Sequence, residues 1–189
     1  MNDLIFITGN QSKADYLAKW LGMPIPHQKV ELEELQSLDL HAVTEDKARR
    51  AYAAVQKPVL VEDVALTFHA LGRLPGTLIK WFLEELGVEG LCKILQGFDD
   101  RSATASIVYG LFDGETFRTF EAHVPGKVAL EPQSFDEDNG WKNNLSWNAV
   151  FIPDGSTKTY AAMSDEELEP FSHRAKAIAK LREYLESIK

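Results

Sequence analysis

The most restrictive feature of this sequence is a pair of short segments that are apolar throughout. Residues 4–7 (LIFI) and 58–61 (PVLV) do not alternate apolar and polar side chains, as a strand with one solvent-facing side does. Unbroken apolar runs of this length are typical of strands covered on both faces, as in parallel or mixed sheets. The two segments therefore predict buried strands in an α/β fold.

Helical segments separate the predicted strands. The sequence predicts helices at residues 13–21, 44–56, 77–86 and 89–95, with Ser12 and Thr44 as the caps of the first two. The last helix has the clearest pattern, because its apolar residues recur at three- and four-residue steps after Ser172, a suitable N-cap. These residues are Ile178, Leu181, Leu185 and Ile188.

Further strand patterns complete the fold class. Residues 103–112 and 116–124 flank Asp113-Gly114 and predict a β-hairpin. Residues 148–152 predict another strand, and residues 29–32 a short one. Strands that alternate with helices, together with one hairpin, predict an α/β fold with a mixed central sheet and flanking helices. No linker or repeat interrupts the chain, so we expect a single domain over residues 1–189.

The net charge of the chain disfavours some classes of binding partner. Its 29 acidic and 20 basic residues give a net charge of −9, whereas proteins that coat phosphate backbones or anionic membranes are usually basic. We therefore expect no nucleic-acid and no membrane partner, although a small phosphorylated ligand needs only a few local cations. Cys92 is the only cysteine, and together with an N-terminus that does not resemble a signal peptide it favours the cytoplasm.

Residues 8–13 (TGNQSK) have the features of an anion-binding loop. They follow a buried strand and open a helix, where a glycine lets backbone N–H groups approach an anion and the helix N-terminus favours negative charge. The candidate phosphate ligands are Thr8, Gly9, Asn10 and Lys13. An ordinary strand-to-helix turn with a solvated lysine fits the same residues, and the second glycine of a P-loop is missing.

Two carboxylates, Glu62 and Asp63, directly follow the second apolar segment. In open α/β sheets, ligands bind beyond the carboxyl ends of strands, and carboxylates at such a position suit Mg²⁺. Glu31, Glu33 and Glu34 follow the predicted short strand and could supply a second carboxylate. Helix-capping acids and a solvated acidic run explain the same residues without a ligand.

The start of the last helix carries another candidate, Ser172-His173-Arg174. A cation in the first turn opposes the helix dipole, so local stability does not account for Arg174, whereas an arginine beside a histidine can bind a planar, oxygen-bearing ring. Lys47 lies on the second predicted helix, and Trp147 beside Asn148 is a candidate for base stacking. Surface positions for the Ser-His-Arg group and for Lys47, and a core position for Trp147, explain these residues without a ligand.

Taken together, these motifs resemble the inosine triphosphate pyrophosphatases, which hydrolyse non-standard purine nucleoside triphosphates. The resemblance extends over nearly the whole chain. It is carried by residues 6–10 (FITGN) with Lys13, 58–63 (PVLVED), 74–76 (LPG), 79–83 (IKWFL), 97–103 (GFDDRSA), 151–155 (FIPDG) and 172–174 (SHR).

The resemblance implies a function and a set of roles. It implies two lobes around a nucleotide cleft, a homodimer, and Mg²⁺-dependent hydrolysis of ITP, dITP and XTP to monophosphate and pyrophosphate, which cleanses the nucleotide pool. The implied roles are triphosphate binding by Thr8, Asn10 and Lys13, Mg²⁺ binding by Glu34 and Asp63, and recognition of the purine 6-oxo edge by His173 and Arg174. Asp63 would also activate water, with Lys47 and Glu62 beside it in the catalytic set.

The base end of the implied site departs from the family pattern. The family's aromatic-Gly-Trp-Asp-Pro signature is replaced by residues 145–149 (LSWNA), and Leu168 stands where the family has a lysine. The preceding segment, residues 131–144, is longer than usual, and Lys142 and Lys158 are candidates for the missing cation. Two alternatives stay open: the same reaction on a different modified nucleotide, or a nucleotide-binding module with little turnover.

Overall fold

Residues 3–134 and 146–188 are described by a computed structural model. The chain divides into two units. Unit 1 comprises Met1–Val64, Ile107–Ala122 and Arg174–Lys189, and unit 2 comprises Ala65–Ser106 and His123–His173. Three long strands contribute residues to both units, so each unit is described in turn.

The sheet of unit 1 contains the parallel strands that the apolar segments predict. β1 (Ile5–Ile7) pairs in parallel with β2 (His27–Gln28) and, on its other side, with β3 (Val59–Phe68). β3 is followed in the sheet by β5 (Ser102–Phe112) and β6 (Phe117–Val128), which form the predicted hairpin. The predicted fold class, a mixed α/β sheet with flanking helices, is confirmed.

Three helices cover the two faces of this sheet. α1 (Gln11–Leu21) and α5 (His173–Ser187) pack on the face that carries Leu60 and Tyr109, and α2 (Leu40–Val55) packs on the face that carries Val59 and Val61. The division follows from the strand geometry, since successive side chains of a strand point to opposite faces. No helix in the described ranges is both long enough and apolar enough to span a bilayer.

Both predicted helix caps in unit 1 are wrong. Asn10, not Ser12, caps α1, and its side chain accepts a hydrogen bond from the N–H of Lys13 at 3.3 Å. Asp39 caps α2 through the N–H groups of the next turn at 3.0 and 3.1 Å. Thr44 lies inside α2, where its hydroxyl donates to the carbonyl of Leu40 at 2.7 Å. Each helix starts at an earlier residue that is an equally good capping type.

The same three strands continue in unit 2, where two of them pair with additional short strands. β4 (Pro75–Gly76) pairs with β3, and β7 (Phe151–Pro153) pairs with β6, both antiparallel. In its described residues, this unit has two α-helices, α3 (Ile79–Lys93) and α4 (Asp165–Leu168). α3 is interrupted at Gly87, whose φ of 66° suits glycine, and this break separates the two helices predicted over residues 77–86 and 89–95.

Three predicted strand boundaries are wrong. β3 continues to Phe68, so Glu62 and Asp63 lie within the strand rather than after it. The short strand predicted at residues 29–32 lies at His27–Gln28. A turn of 3-10 helix, Trp147–Ala149, occupies the start of the strand predicted at residues 148–152. β3 tolerates two acids in its interior because each has a cationic partner, as described below.

Gly110 in β5 allows α2 to approach the sheet closely. A Cβ atom here would lie 2.7 Å from Cγ2 of Thr44 and 2.8 Å from the ring of Phe117. We expect Gly110→Ala to lower the free energy of unfolding by about 1–3 kcal/mol, because overpacking displaces the neighbouring groups. Urea unfolding measures this loss. Thr44→Ser removes the methyl group and keeps the hydroxyl, so it should recover part of the loss; no recovery would show that Thr44 is not the obstacle.

Candidate active site

The carboxyl end of β1 lies beside the interior of β3. Phe6 pairs with Leu60 in the parallel ladder and β1 ends at Ile7, so Glu62 and Asp63 extend beyond that end. Residues 8–10 leave the sheet at the same place and lead into α1. Unit 1 therefore has the ligand position expected for an open α/β sheet. This position lies at the end of β1, and not at the end of β3 as the sequence predicted.

The predicted phosphate loop is a capped helix start. Thr8 Oγ1 accepts a hydrogen bond from the N–H of Asn10 at 3.1 Å, and Gly9 and Asn10 are exposed. A Cβ atom at Gly9 would lie 3.0 Å from the stem of Lys29. The missing side chain at Gly9 therefore leaves room for a second lysine beside the loop.

Glu62 is a buried carboxylate shared by two cations. Its Oε1 lies 2.8 Å from Nζ of Lys13 and 3.0 Å from Nη2 of Arg174, and its Oε2 accepts a 2.8 Å hydrogen bond from the hydroxyl of Tyr109. Burial alone would raise the pKa of Glu62, but Arg174 and Lys13 hold it well below its ordinary value. Glu62 is therefore an anion that holds its neighbours in place.

Asp63 lies on the opposite face of β3, toward α2. Nζ of Lys47 donates to Oδ1 of Asp63 at 2.8 Å and to the carbonyl of Glu62 at 3.3 Å, and it lies 3.4 Å from Oε1 of Glu34. Burial alone would lower the pKa of Lys47, but Asp63 and Glu34 raise it overall. Burial raises the pKa of Asp63, and the ammonium of Lys47 offsets this only in part.

Asp63 and Glu34 fit a divalent cation. Oδ2 of Asp63 is buried and has no hydrogen-bond partner among the described residues. Both carboxylates approach the ammonium of Lys47, so they can reach one ion directly or through a water. Mg²⁺ uses one or two carboxylates and completes its shell with water and phosphate oxygens. This pair suits it, although residues 3–134 and 146–188 contain no group of three His, Cys, Asp or Glu side chains that could hold a metal.

Trp147 belongs to a buried aromatic cluster in unit 2. Its ring centroid lies 6.3, 6.2 and 5.7 Å from those of Phe151, Tyr160 and His173. The rings of Tyr160 and His173 are stacked at 5.6 Å. Trp147 is only 8% exposed, so the side chain predicted to stack on a base is packed among protein rings. Asn148 beside it is buried as well.

Ser172, His173 and Arg174 are all buried, which excludes the surface position that the sequence left open for them. His173 begins α5 and belongs to unit 2, whereas Arg174 belongs to unit 1 and contacts Glu62. The guanidinium of Arg174 thus has an anionic protein partner. Recognition of a purine edge by this pair stays a prediction.

Leu168, at the position of the missing cation, lies in the core of unit 2 with 3% exposure. Lys158 is engaged elsewhere, because its Nζ lies 2.5 Å from Oε1 of Glu167. Both of these charged side chains are about half exposed. Lys142 and Leu145, the other residues named at the base end, lie outside the described residues.

The sequence did not predict a role for two residues that lie near the carboxylates or the loop. Tyr109 stands in an apolar strand pattern that marks it only as core, yet its hydroxyl donates to Glu62. Lys29 precedes the acidic run, and only the fold brings its stem to Gly9. Neither contact has a local sequence signal, because each joins residues that are distant in the chain.

Comparison with known proteins identifies the family. Residues 4–184 match the Ham1 family. The chain belongs to the Ham1 family. It is 41% identical over 187 residues to the inosine triphosphate pyrophosphatase of Yarrowia lipolytica, covering 96% of this chain and 95% of that protein. It is 38% identical over 180 residues to inosine triphosphate pyrophosphatase 2 of Trypanosoma cruzi, covering 93% of this chain and 88% of that protein.

A solved Ham1 structure shares the fold. The HAM1 protein of Coxiella burnetii has a TM-score of 0.83 at 22% identity, covering 99% of this chain and 100% of that one. The family model and the two relatives confirm the resemblance inferred from the motifs, which extends over nearly the whole chain.

The hydroxyl of Tyr109 should stabilise unit 1 through Glu62. We expect Tyr109→Phe to lower the free energy of unfolding by about 1.5–3 kcal/mol, because it removes a buried hydrogen bond to a charged group. Tyr184→Phe is the matched control, since no hydrogen bond of the Tyr184 hydroxyl is present in the described part of the chain. Chemical unfolding of both variants decides the point: equal losses would mean that the bond to Glu62 contributes nothing.

Proposed function

We propose that this chain is a Mg²⁺-dependent nucleoside triphosphate pyrophosphatase that converts ITP, dITP and XTP to the monophosphate and pyrophosphate. The observation that carries the proposal is that the acids beyond the carboxyl end of β1 hold a lysine on each face of β3: Glu62 pairs with Lys13, and Asp63, together with Glu34, pairs with Lys47. Two lysines beside a pair of carboxylates suit a metal-bound polyphosphate. The names of the two relatives described above support the same reaction.

In the proposed hydrolysis, several residues of unit 1 have separate roles. Water attacks the α-phosphorus and its proton passes to the carboxylate of Asp63, while the bond between the α-phosphorus and the bridging oxygen breaks and pyrophosphate leaves. Lys13 and Lys47 bind the phosphate oxygens and offset their growing charge. Asp63 and Glu34 would hold Mg²⁺, which would supply additional positive charge to the same oxygens. Glu62 keeps Lys13 at the loop, and Thr8, Gly9 and Asn10 offer the start of α1 to the phosphates.

Recognition of the base belongs to the start of α5 in this proposal. A 6-oxo purine offers an acceptor to Arg174 and His173, whereas a 6-amino purine offers donors and leaves a buried donor unpaired. Such mispairing costs about 1–3 kcal/mol, which is sufficient to disfavour ATP. The activity would remove non-standard nucleotides from the cytoplasmic pool.

A second candidate is the same reaction on a different modified nucleotide, such as a pyrimidine. The observation in its favour is the altered base end, where Leu168 is a core residue and Lys158 is paired with Glu167. Trp147 is also covered by protein rings. A base that needs neither the family's lysine nor a free tryptophan face fits this arrangement.

Pyrophosphate release from a nucleotide panel tests the proposal. We expect ITP, dITP and XTP to turn over at about 1–10³ per second with Mg²⁺ and at least about ten-fold faster than ATP. Orthophosphate as product would place the attack elsewhere. Faster turnover of pyrimidine nucleotides would favour the second candidate, and binding without pyrophosphate release would indicate a binding module.

Loss of the Asp63 carboxylate should remove the activity. Asp63→Asn should reduce turnover by at least about 100-fold, because the amide cannot accept the proton, while circular dichroism shows an unchanged fold. Asp15→Asn is the control, since Asp15 is exposed on α1 and bonds only to Gln11 in the described residues. Full activity of Asp63→Asn would remove Asp63 from the mechanism.

We also propose that the protein forms a homodimer through unit 2. Trp81 on α3 and Phe98 are large apolar side chains that are 48% and 45% exposed, and burial of such surface stabilises association. Sedimentation of the wild type should report a dimer, and Trp81→Lys should favour the monomer. Met23→Lys, which changes an exposed residue of unit 1, should leave the dimer intact. A monomeric wild type would contradict the proposal.

A further inference from the structure

The ammonium of Lys47 is held by three protein oxygens. It donates hydrogen bonds to Oδ1 of Asp63 at 2.8 Å and to the carbonyl of Glu62 at 3.3 Å, and it forms an ion pair with Oε1 of Glu34 at 3.4 Å. Because an ammonium has three donors, protein oxygens already occupy most of its capacity. The side chain of Lys47 is only 18% exposed, and its charge is therefore weakly screened by solvent.

Two of these three oxygens belong to Asp63 and Glu34, the carboxylates that suit a divalent cation. A cation bound to Asp63 and Glu34 either takes the oxygens that contact Lys47 or lies beside its positive charge. Both arrangements weaken cation binding, because the first breaks ion pairs and the second places like charges together at a partly buried position. The protein's own lysine thus competes with the metal.

A triphosphate removes this competition. Its oxygens offer Lys47 new anionic partners, and the carboxylates are then free to bind a cation. Lys13 differs in this respect, because its ammonium pairs with Glu62 on the other face of β3 and has no contact with Asp63 or Glu34 among the interactions described above. The two lysines carry the same charge, but only Lys47 is bonded to the predicted metal ligands.

We propose that Lys47 keeps the divalent cation out of the Asp63–Glu34 position until a triphosphate draws its ammonium away, so that metal and nucleotide bind together. This inference rests on the proposed function, since it takes a triphosphate as the ligand. It adds that the Asp63–Glu34 position has a low affinity for a divalent cation in the protein without nucleotide. The coupling between metal binding and nucleotide binding is then set by the charge of one side chain.

Binding of Mn²⁺ without nucleotide, followed by electron paramagnetic resonance, tests the proposal. Lys47→Met removes the charge at nearly constant length and should bind Mn²⁺ at least about ten-fold more tightly than the wild type, the effect of one lost charge-assisted contact. Lys13→Met removes an equal charge from the other face of β3 and should stay within about two- to three-fold of the wild type. Equal affinities of all three proteins, or equal gains in both variants, would overturn the proposal.

Thermal unfolding of the wild type gives a result that does not depend on the folding of any variant. Mg²⁺ together with inorganic tripolyphosphate should raise the unfolding midpoint by more than the sum of the two separate shifts, because each ligand relieves the cost of the other. Merely additive shifts, or full stabilisation by Mg²⁺ alone, would overturn the proposal. If Lys47→Met does not fold, Lys47→Gln replaces it in the Mn²⁺ titration.

These measurements are independent of the catalytic proposal. They use Mn²⁺, Mg²⁺ and tripolyphosphate, and no nucleotide is hydrolysed. A wild type that releases no pyrophosphate from any nucleotide contradicts the proposed function alone. A Lys47 variant that gains no metal affinity contradicts this inference alone.

Discussion

Unit 1 depends on the ion pairs and the hydrogen bond that the buried carboxylate of Glu62 forms. A charge in the interior of a sheet is costly unless it is paired and hydrogen-bonded, and Glu62 obtains its partners from three other elements: Lys13 on α1, Tyr109 on β5 and Arg174 on α5. Removing one partner of such a group leaves an uncompensated buried charge, which typically costs about 3–5 kcal/mol. The carboxylate therefore fixes where α1 and α5 start relative to β3.

Strand alternation explains how two neighbouring acids acquire different tasks. Glu62 and Asp63 are adjacent in β3, so they point to opposite faces of the sheet. Glu62 meets two cations and a hydroxyl, whereas Asp63 meets one lysine and keeps one oxygen without a protein partner among the described residues. Their environments move the pKa values in opposite directions. A carboxylate held by two cations suits a structural role, and one with a single cationic partner and an oxygen that contacts no cation among the described residues suits a ligand or a proton.

The sequence predicted the parts of this arrangement that depend on local pattern. The unbroken apolar runs predict β1 and the start of β3, whereas the shared site of Lys13, Lys47 and Asp63 was implied only by the resemblance to the inosine triphosphate pyrophosphatases. The pairing of Glu62 with Arg174 and Tyr109 could not be predicted, because these contacts join positions 112 and 47 residues apart. The extent of β3 was missed for the same reason, since polar residues end a strand unless tertiary partners neutralise them.

At the base end, the sequence identified the unusual positions, and the structure explains one of them. The replaced signature at residues 145–149 and the leucine at position 168 stood out as departures from a known pattern, and the structure gives the leucine a physical reason: Leu168 fills the core of unit 2. A cation at that position would need a partner inside an apolar cluster, which is costly. Glu167 and Lys158, next to it, are instead paired with each other in solvent. Leucine at position 168 therefore avoids a buried charge in the core of unit 2.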